Sequence, residues 1–349
     1  LFAGHDVLHN SGTITAAGSG DISVSAGEDF AGGTNQAGNA DGDVRMVDGL
    51  VIQSGSGLIT LEATRDVVLS TVTTMGNVTV SADDDDFTLA DNVGSITEVL
   101  TGEAENISGM ALDLAASTGI GTGATLDDAG DIDISGTTLS AVNSTSGTIN
   151  ITELDSVALA SISNPGRPVI LDAGGGFTDG NGADVLNISS STLEMRAVTG
   201  IGVGVANDAG DIDTTITGTF AGQTTSGDIH LHNVGGLTIG ALTTLSGAQI
   251  TGGAVGDDIT IRAASPMTVN SSVLNSGGGD ITLASEGNTA ADDLILAADV
   301  TASGGNGNVR LFAGHDVLHN SGTITAAGSG DISVSAGEDF AGGTNQAGN

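Results

Sequence analysis

The sequence predicts an all-β parallel solenoid, and three observations predict it. Residues 1–39 return without a change as residues 311–349. Between the two copies a short phrase recurs in which apolar and polar residues alternate. Glycine interrupts every segment, so no long 3.6-residue period survives and helix is disfavoured throughout. Self-similarity at a fixed period is the mark of a repeat architecture.

The long period is 310 residues. Divergent domains do not keep such a stretch unaltered, so residues 1–310 read as one full unit of a tandem array and residues 311–349 as the start of the next. Asn308-Val309-Arg310 runs into Leu311-Phe312-Ala313 in mid-pattern. Leu1 is therefore expected to fall inside a strand, the natural polypeptide to continue beyond both ends, and neither end to carry a capping element.

The short phrase is a Gly or Asp followed by aliphatic, polar, aliphatic. It appears as Gly20-Asp21-Ile22-Ser23-Val24 and returns at Ile59, Val78, Ile132, Ile149, Ile229, Ile259 and Ile281. Such alternation marks a strand with one buried face. Its parity points the aliphatics inward, from Ile22 and Val24 through Ile261 to Leu283. It points Ser23, Thr60, Thr79, Asp133, Asn150, His230, Thr260 and Thr282 to solvent.

Two weaker strands follow each strong one. Ile259 leads to Met267, Val273 and then Ile281; Val309 leads to Val317, Ile324 and Ile332. Three short strands per turn give a roughly triangular coil of about 20–23 residues that stacks in parallel on its neighbours. At about 4.8 Å per layer, 14 or 15 coils make a unit about 70 Å long. Gly-Ser-Gly at 18–20 and Gly-Gly at 32–33, 235–236 and 252–253 supply corners. Asp66, Asp86, Asp293 and Asp316 each stand just before a second strand. There a carboxylate is expected to accept the N–H two residues on, as in an Asx turn.

Composition agrees. There are 57 glycines and seven phenylalanines, with no Trp, Tyr or Cys, and all six basic residues are arginines. That suits a thin core repeated many times better than a globular core built on aromatics. Regular Val, Ile and Leu exclude a disordered acidic tail. Forty-three carboxylates give a formal net charge of −37. The want of a basic patch argues against nucleic-acid partners and disfavours anionic membrane surfaces. No apolar run is long enough to span a bilayer.

The phrases SGTITAAGSGDISVSAG (11–27), SGTINITELDSVALASI (146–162) and GGGDITLASEGNTAADDLILAADVTASGGNGNVRLFAGHDV (277–317) resemble the repeat regions of filamentous-haemagglutinin-type exoproteins and related giant bacterial surface proteins. The resemblance covers nearly the whole chain. It implies a right-handed parallel β-helix, export to the bacterial cell surface, and a role in adhesion, aggregation or biofilm structure. The family's secretion domain and receptor-binding segments have no counterpart in these residues.

Few constellations carry chemistry. Asp179-Gly180-Asn181-Gly182-Ala183-Asp184-Val185-Leu186 partly matches the calcium-binding nonapeptide, with Asp179 in place of the first Gly. That motif shares Ca²⁺ between tandem turns, and only one copy is present, so an ordinary glycine-rich loop competes with it. Asp83, Asp84, Asp85 and Asp86 form the densest charge, which a hard cation would relieve and a solvated loop would equally accommodate. Calcium is thus the one candidate cofactor, at Asp179, Asp184 and Asp83–Asp86, and the fold requires none. His5 and His9, repeated as His315 and His319, are four apart on strand and turn. They lie too far from each other, roughly 13 Å, to share a metal. His230 and His232 share the outer face beside Asp228, but alternation supplies no third ligand.

Nothing suggests catalysis. There is no aromatic platform for sugars beyond the seven Phe, no cysteine nucleophile and no phosphate loop with a lysine. The sequence therefore predicts one right-handed parallel β-helix serving as a structural extracellular stalk or fibre. Its partners are neighbouring units, other copies in a filament and a surface or matrix ligand. The alternatives are an acidic calcium-binding matrix protein and, third, a polysaccharide-acting β-helix enzyme.

Overall fold

A computed structural model describes residues 1–27, 42–83, 93–100, 104–126, 129–203, 210–287 and 289–337. The protein is an all-β parallel β-helix, with no helix among these residues and so none long and apolar enough to cross a membrane. The chain divides into two compact units, Leu1–Asp172 and Ala173–Asn349.

In the first unit three columns of parallel strands rise side by side. Ile22–Ala26, Ile59–Ala63, Val78–Ala82 and Ile107–Ala116 form one. Val7–His9, Val44–Met46, Val67–Leu69 and Ile96–Glu98 form the second. Thr13–Ala16, Val51–Ser54 and Thr71–Thr73 form the third. The second unit repeats the plan. Ile229–Asn233, Ile259–Ala263, Ile281–Ser285, Val309–Ala313 and Ile332–Ala336 stack in sequence order. Leu237–Ile239, Met267–Val269, Leu294–Leu296 and Val317–His319 stack beside them. Ala248–Ile250, Val273–Asn275, Val300–Ala302 and Ile324–Ala326 complete the coils. These are the three strands per coil that the spacing from Ile259 and Val309 predicts.

Register puts like on like. Ile259 sits opposite Ile281, which sits opposite Val309, while Ile261 sits opposite Leu283 and then Leu311. Each aliphatic thus covers the one in the next layer, and all those assigned inward by parity are buried. Full burial of one such side chain is worth about 1.5–3 kcal/mol. The outward set needs correction at three positions. Asp133, Asn150 and Thr282 are buried. Asn150 donates through Nδ2 to the carbonyl of Thr125, 3.1 Å away, so a loop lies over it. Thr282 is enclosed between Thr260 and Arg310 of the adjoining layers.

Two faces are interrupted in a way that periodicity does not reveal. Ile120 and Ile132 both stack on the single strand Ile149–Glu153, opposite Ile149 and Ile151. Between them the chain leaves the face and comes back, closing with the Thr122 N–H on the Gly130 carbonyl at 2.6 Å. The second unit does the same. Ile201 and Ile212 stack opposite Ile229 and Leu231, and the Val203 N–H meets the Gly210 carbonyl at 2.8 Å. Gly121 and Gly202 start these excursions with φ of 75° and 72°, a left-handed turn that a side chain resists.

Candidate functional site

The outer surface is organised by carboxylate ladders that run from layer to layer. In the first unit Asp6 Oδ1 accepts the backbone N–H of Asp43 at 3.0 Å. Asp43 Oδ1 accepts that of Asp66 at 3.1 Å, and Asp66 Oδ1 that of Ser95 at 3.0 Å. In the second unit the series Asp228, Asp258, Asp280, Asn308 and Asp331 is joined in the same way, at 2.7–2.9 Å. Its steps of 30, 22, 28 and 23 residues absorb the unequal coil lengths. Asp293 Oδ1 likewise accepts the Asp316 N–H at 3.1 Å.

This corrects the Asx-turn expectation for Asp66 and Asp293. Each carboxylate satisfies the N–H of the residue stacked on it in the next coil, not one two residues along its own. The N–H just ahead of a strand has no partner in the strand ladder, and the stacked carboxylate supplies one.

Stacked carboxylates repel unless compensated. Arg45 Nη2 lies 2.8 Å from Asp43 Oδ2 and 3.8 Å from Asp66 Oδ2, and Arg65 Nε lies 3.4 Å from Asp66. The hydrogen bond and charge of Asp43 raise the pKa of Arg45 against the opposing effect of burial. In the second unit Arg310 Nη1 binds Asp280 Oδ2 at 2.5 Å. Burial works against the charge on Asp280, but the bonds from Asn308 and Arg310 outweigh it and lower its pKa. Asp258, one layer away, goes the other way. Burial raises its pKa, and the charges of Asp280 and Asp228 add to the rise.

The bases of the two excursions hold buried carboxylates that sequence reading did not propose as a site. Asp131 and Asp133 are buried in the first unit, and Asp131 accepts a hydrogen bond from the Thr152 hydroxyl. Asp211 and Asp213 are buried in the second. There His232 Nδ1 lies 3.0 Å from Asp213 Oδ1, and His230 Nδ1 lies 3.6 Å from Asp211 Oδ1. Arg262 Nη1 lies 3.7 Å from Asp211, and its Nε binds Glu286 at 2.7 Å. Burial raises the pKa of Asp213, and the His232 bond works against that rise. His230 and His232 do face outward beside Asp228, 3.9 Å from His230, as alternation indicates. The further carboxylates come from the neighbouring coil. The signal was available as a recurring phrase, Gly-Ile-Gly followed by Ala-Gly-Asp-Ile-Asp, at 119–133 and again at 200–213.

Of the residues proposed for calcium, Asp179, Asp184 and Asp83 are among those described. Asp179 Oδ1 accepts the N–H groups of Asn181 and Gly182 at 2.9 and 3.2 Å and the Asn187 side chain at 2.9 Å. Oδ1 thus holds the residue's own loop together. Asp184 is exposed at φ 59° on the same loop. Asp83 stands at φ 69°, its N–H bonded to the Arg65 carbonyl at 3.0 Å. Asp84, Asp85 and Asp86 lie outside the described residues. His9 and His319 each bond through Nε2 to a corner carbonyl, Gly12 and Gly322, at 3.0 Å. Among the described residues, one group of three acidic or imidazole ligands converges: Asp293, His315 and Asp316.

A groove of about 360 Å³ lies on the first unit, lined by Met75, Gly109, Met110, Gly136, Glu153 and Asp155 among others. Glu153 Oε2 accepts the Gly136 N–H and Oε1 the Asp155 N–H, each at 3.2 Å. Burial pushes the carboxyl up to about 7 in spite of these bonds, and the charges of Asp155 and Glu105 add to the rise. The unfolded group titrates near 4.5. Between the two values the folded chain holds a proton that the unfolded chain has released. The contribution of Glu153 to stability is therefore full below about 4.5 and is lost as pH rises through about 7, by on the order of 1–3 kcal/mol. Glu153→Gln is expected to flatten this dependence, read as the urea midpoint at pH 5 and pH 8. An equal slope in the variant would remove Glu153 as its source.

No protein-family model matches the chain, and neither a curated protein nor a solved structure matches it.

Proposed function

We propose that this chain is a structural segment of a giant repetitive surface protein. In this reading it is an extracellular stalk or fibre in which successive 310-residue units continue one another and carry adhesion or cell–cell contact. The observation that supports the reading is one sequence keeping one structural role a full period apart. Ile22 and Val24 lie opposite Ile59 and Leu61 in a parallel ladder. Ile332 and Val334, the same residues one period on, lie opposite Val309 and Leu311 in another. The same strand with the same parity in both copies suits an array in which each unit repeats the stacking of the last. The high negative charge fits a surface that repels others of its kind except along the stacking direction.

The test uses polypeptides of one, two and three 310-residue units, imaged as single particles by electron microscopy. The expected result is a constant width and a length gain of about 70 Å per unit, from a layer spacing of about 4.8 Å. Particles that widen or collapse as units are added would contradict a stalk.

A further inference from the structure

The ladder position just before the second strand of a coil has a histidine beside it in some layers, His5 at Asp6 and His315 at Asp316, and arginines in others. In the first unit, Asp43 and Asp66 have permanent cations beside them, Arg45 and Arg65. In the second unit, Asp293 and Asp316 stack in the same fashion. The residue corresponding to Arg45, two places on, is Ile295 or Leu318, and the residue corresponding to Arg65, one place before, is His315. No arginine reaches Asp293 or Asp316 among the described residues. An imidazole is a weak and conditional cation near neutral pH, but it is a good metal ligand.

The geometry is specific. His315 Nδ1 lies 3.0 Å from Asp293 Oδ1 and 3.4 Å from Asp316 Oδ2. One ligand atom from each of the three side chains falls within 4.8 Å of the others. In a tetrahedral zinc site with bonds of about 2.0–2.1 Å, ligand atoms are about 3.3 Å apart, and the two measured edges bracket that value. Asp293 is held in place by the Asp316 N–H at 3.1 Å, the kind of supporting bond that orients a metal ligand. The adjacent Asp292 is occupied, its carboxylate accepting the Thr289 N–H. The Asp316 side chain is 58% exposed, which leaves the cluster open to a water as fourth ligand.

We propose that Asp293, His315 and Asp316 bind one divalent transition-metal ion of the zinc class, three protein ligands and a water, clipping two successive coils together. The bond joins residues 22 and 23 positions apart in sequence but adjacent in the stack. One nitrogen and two carboxylate oxygens favour zinc or cobalt over calcium, which takes six to eight oxygens. This inference does not depend on the array reading.

The experiment titrates the metal-free 349-residue protein with Zn²⁺ by calorimetry and with Co²⁺ by visible absorption. The tightest site is expected to bind one ion per chain and to give the intense absorption of four-coordinate cobalt. Affinity should fall at least tenfold in His315→Gln and in Asp293→Asn, while His5→Gln leaves it unchanged and millimolar Ca²⁺ does not displace the ion. Circular dichroism checks that each variant is folded. In the wild-type protein, cobalt should shift the His315 ring resonances far more than those of His5 or His9, a readout that no variant's folding affects. Wild-type affinity in folded His315→Gln, an unshifted His315 ring, or displacement of cobalt by calcium would overturn the site.

Discussion

Replacing Ile261 by alanine is expected to destabilise its unit by about 2–5 kcal/mol, the range for truncating a buried aliphatic where the cavity cannot collapse. Ile261 is fully buried, with Leu231 opposite on one side and Leu283 on the other. Its strand is pinned on both sides by parallel ladders, so neither neighbour can move to fill the gap. Thr260, the adjacent residue on the outer face, provides the contrast. Thr260→Ala should change stability by no more than about 0.5 kcal/mol. Urea unfolding followed by circular dichroism measures both. Solenoids can unfold in parts, so the comparison is between midpoints of the same transition. Equal effects at the two positions would refute the assigned parity.

Asn233→Ala should be comparably severe for a different reason. Asn233 is fully buried at the end of its strand. Its Oδ1 accepts the Ile216 N–H at 2.7 Å and the Thr214 hydroxyl at 2.9 Å. Its Nδ2 reaches the carbonyls of Gly235 and Gly236, both at 3.1 Å, and that of Ile216 at 3.3 Å. One side chain thus satisfies the corner of its own coil and the strand of the layer beneath. Alanine would leave several buried backbone groups without partners, at about 1–3 kcal/mol each before any water enters. A loss of about 3 kcal/mol or more is expected. Asn233→Asp should also destabilise, because the acceptor survives while the donors to three carbonyls are lost. A loss below about 1 kcal/mol in the alanine variant would mean that water replaces the amide.

Strand parity was legible because a period of two needs only near neighbours. The aliphatics of Ile22, Ile59, Ile259 and Ile281 announce their inward face without knowledge of what stacks on them. The three-strand coil was legible from the spacing of Val309, Val317, Ile324 and Ile332. The ladders were not. Asp258 and Asp280 are hydrogen-bonded only because their layers are adjacent, and coils of unequal length hide that pairing in the sequence. The same holds for Asp293 and His315, and for Asp213 and His232. Asp133 and Asn150 misled because alternation reports which face a side chain points to, and a loop can cover the outer face. At Asp179 a glycine-rich acidic phrase serves equally to fold a loop on itself and to hold an ion, and Oδ1 is engaged in the first.

The central claim is that the strand Ile332–Ala336 takes a following coil in the array as Ile22–Ala26 takes Ile59–Ala63. Amide hydrogen exchange tests it most directly. In the 349-residue chain, Ile22–Ala26 should exchange slowly and Ile332–Ala336 faster, since the first strand pairs with Ile59–Ala63 along its length and with Phe2–Ala3 at Ser25 and Ala26, while among the described residues the second pairs with Val309–Ala313 alone. In a polypeptide carrying a second complete unit, residues 332–336 should slow to the rate of residues 22–26. Persistently fast exchange there, with a full unit following, would contradict continuous stacking from one repeat to the next.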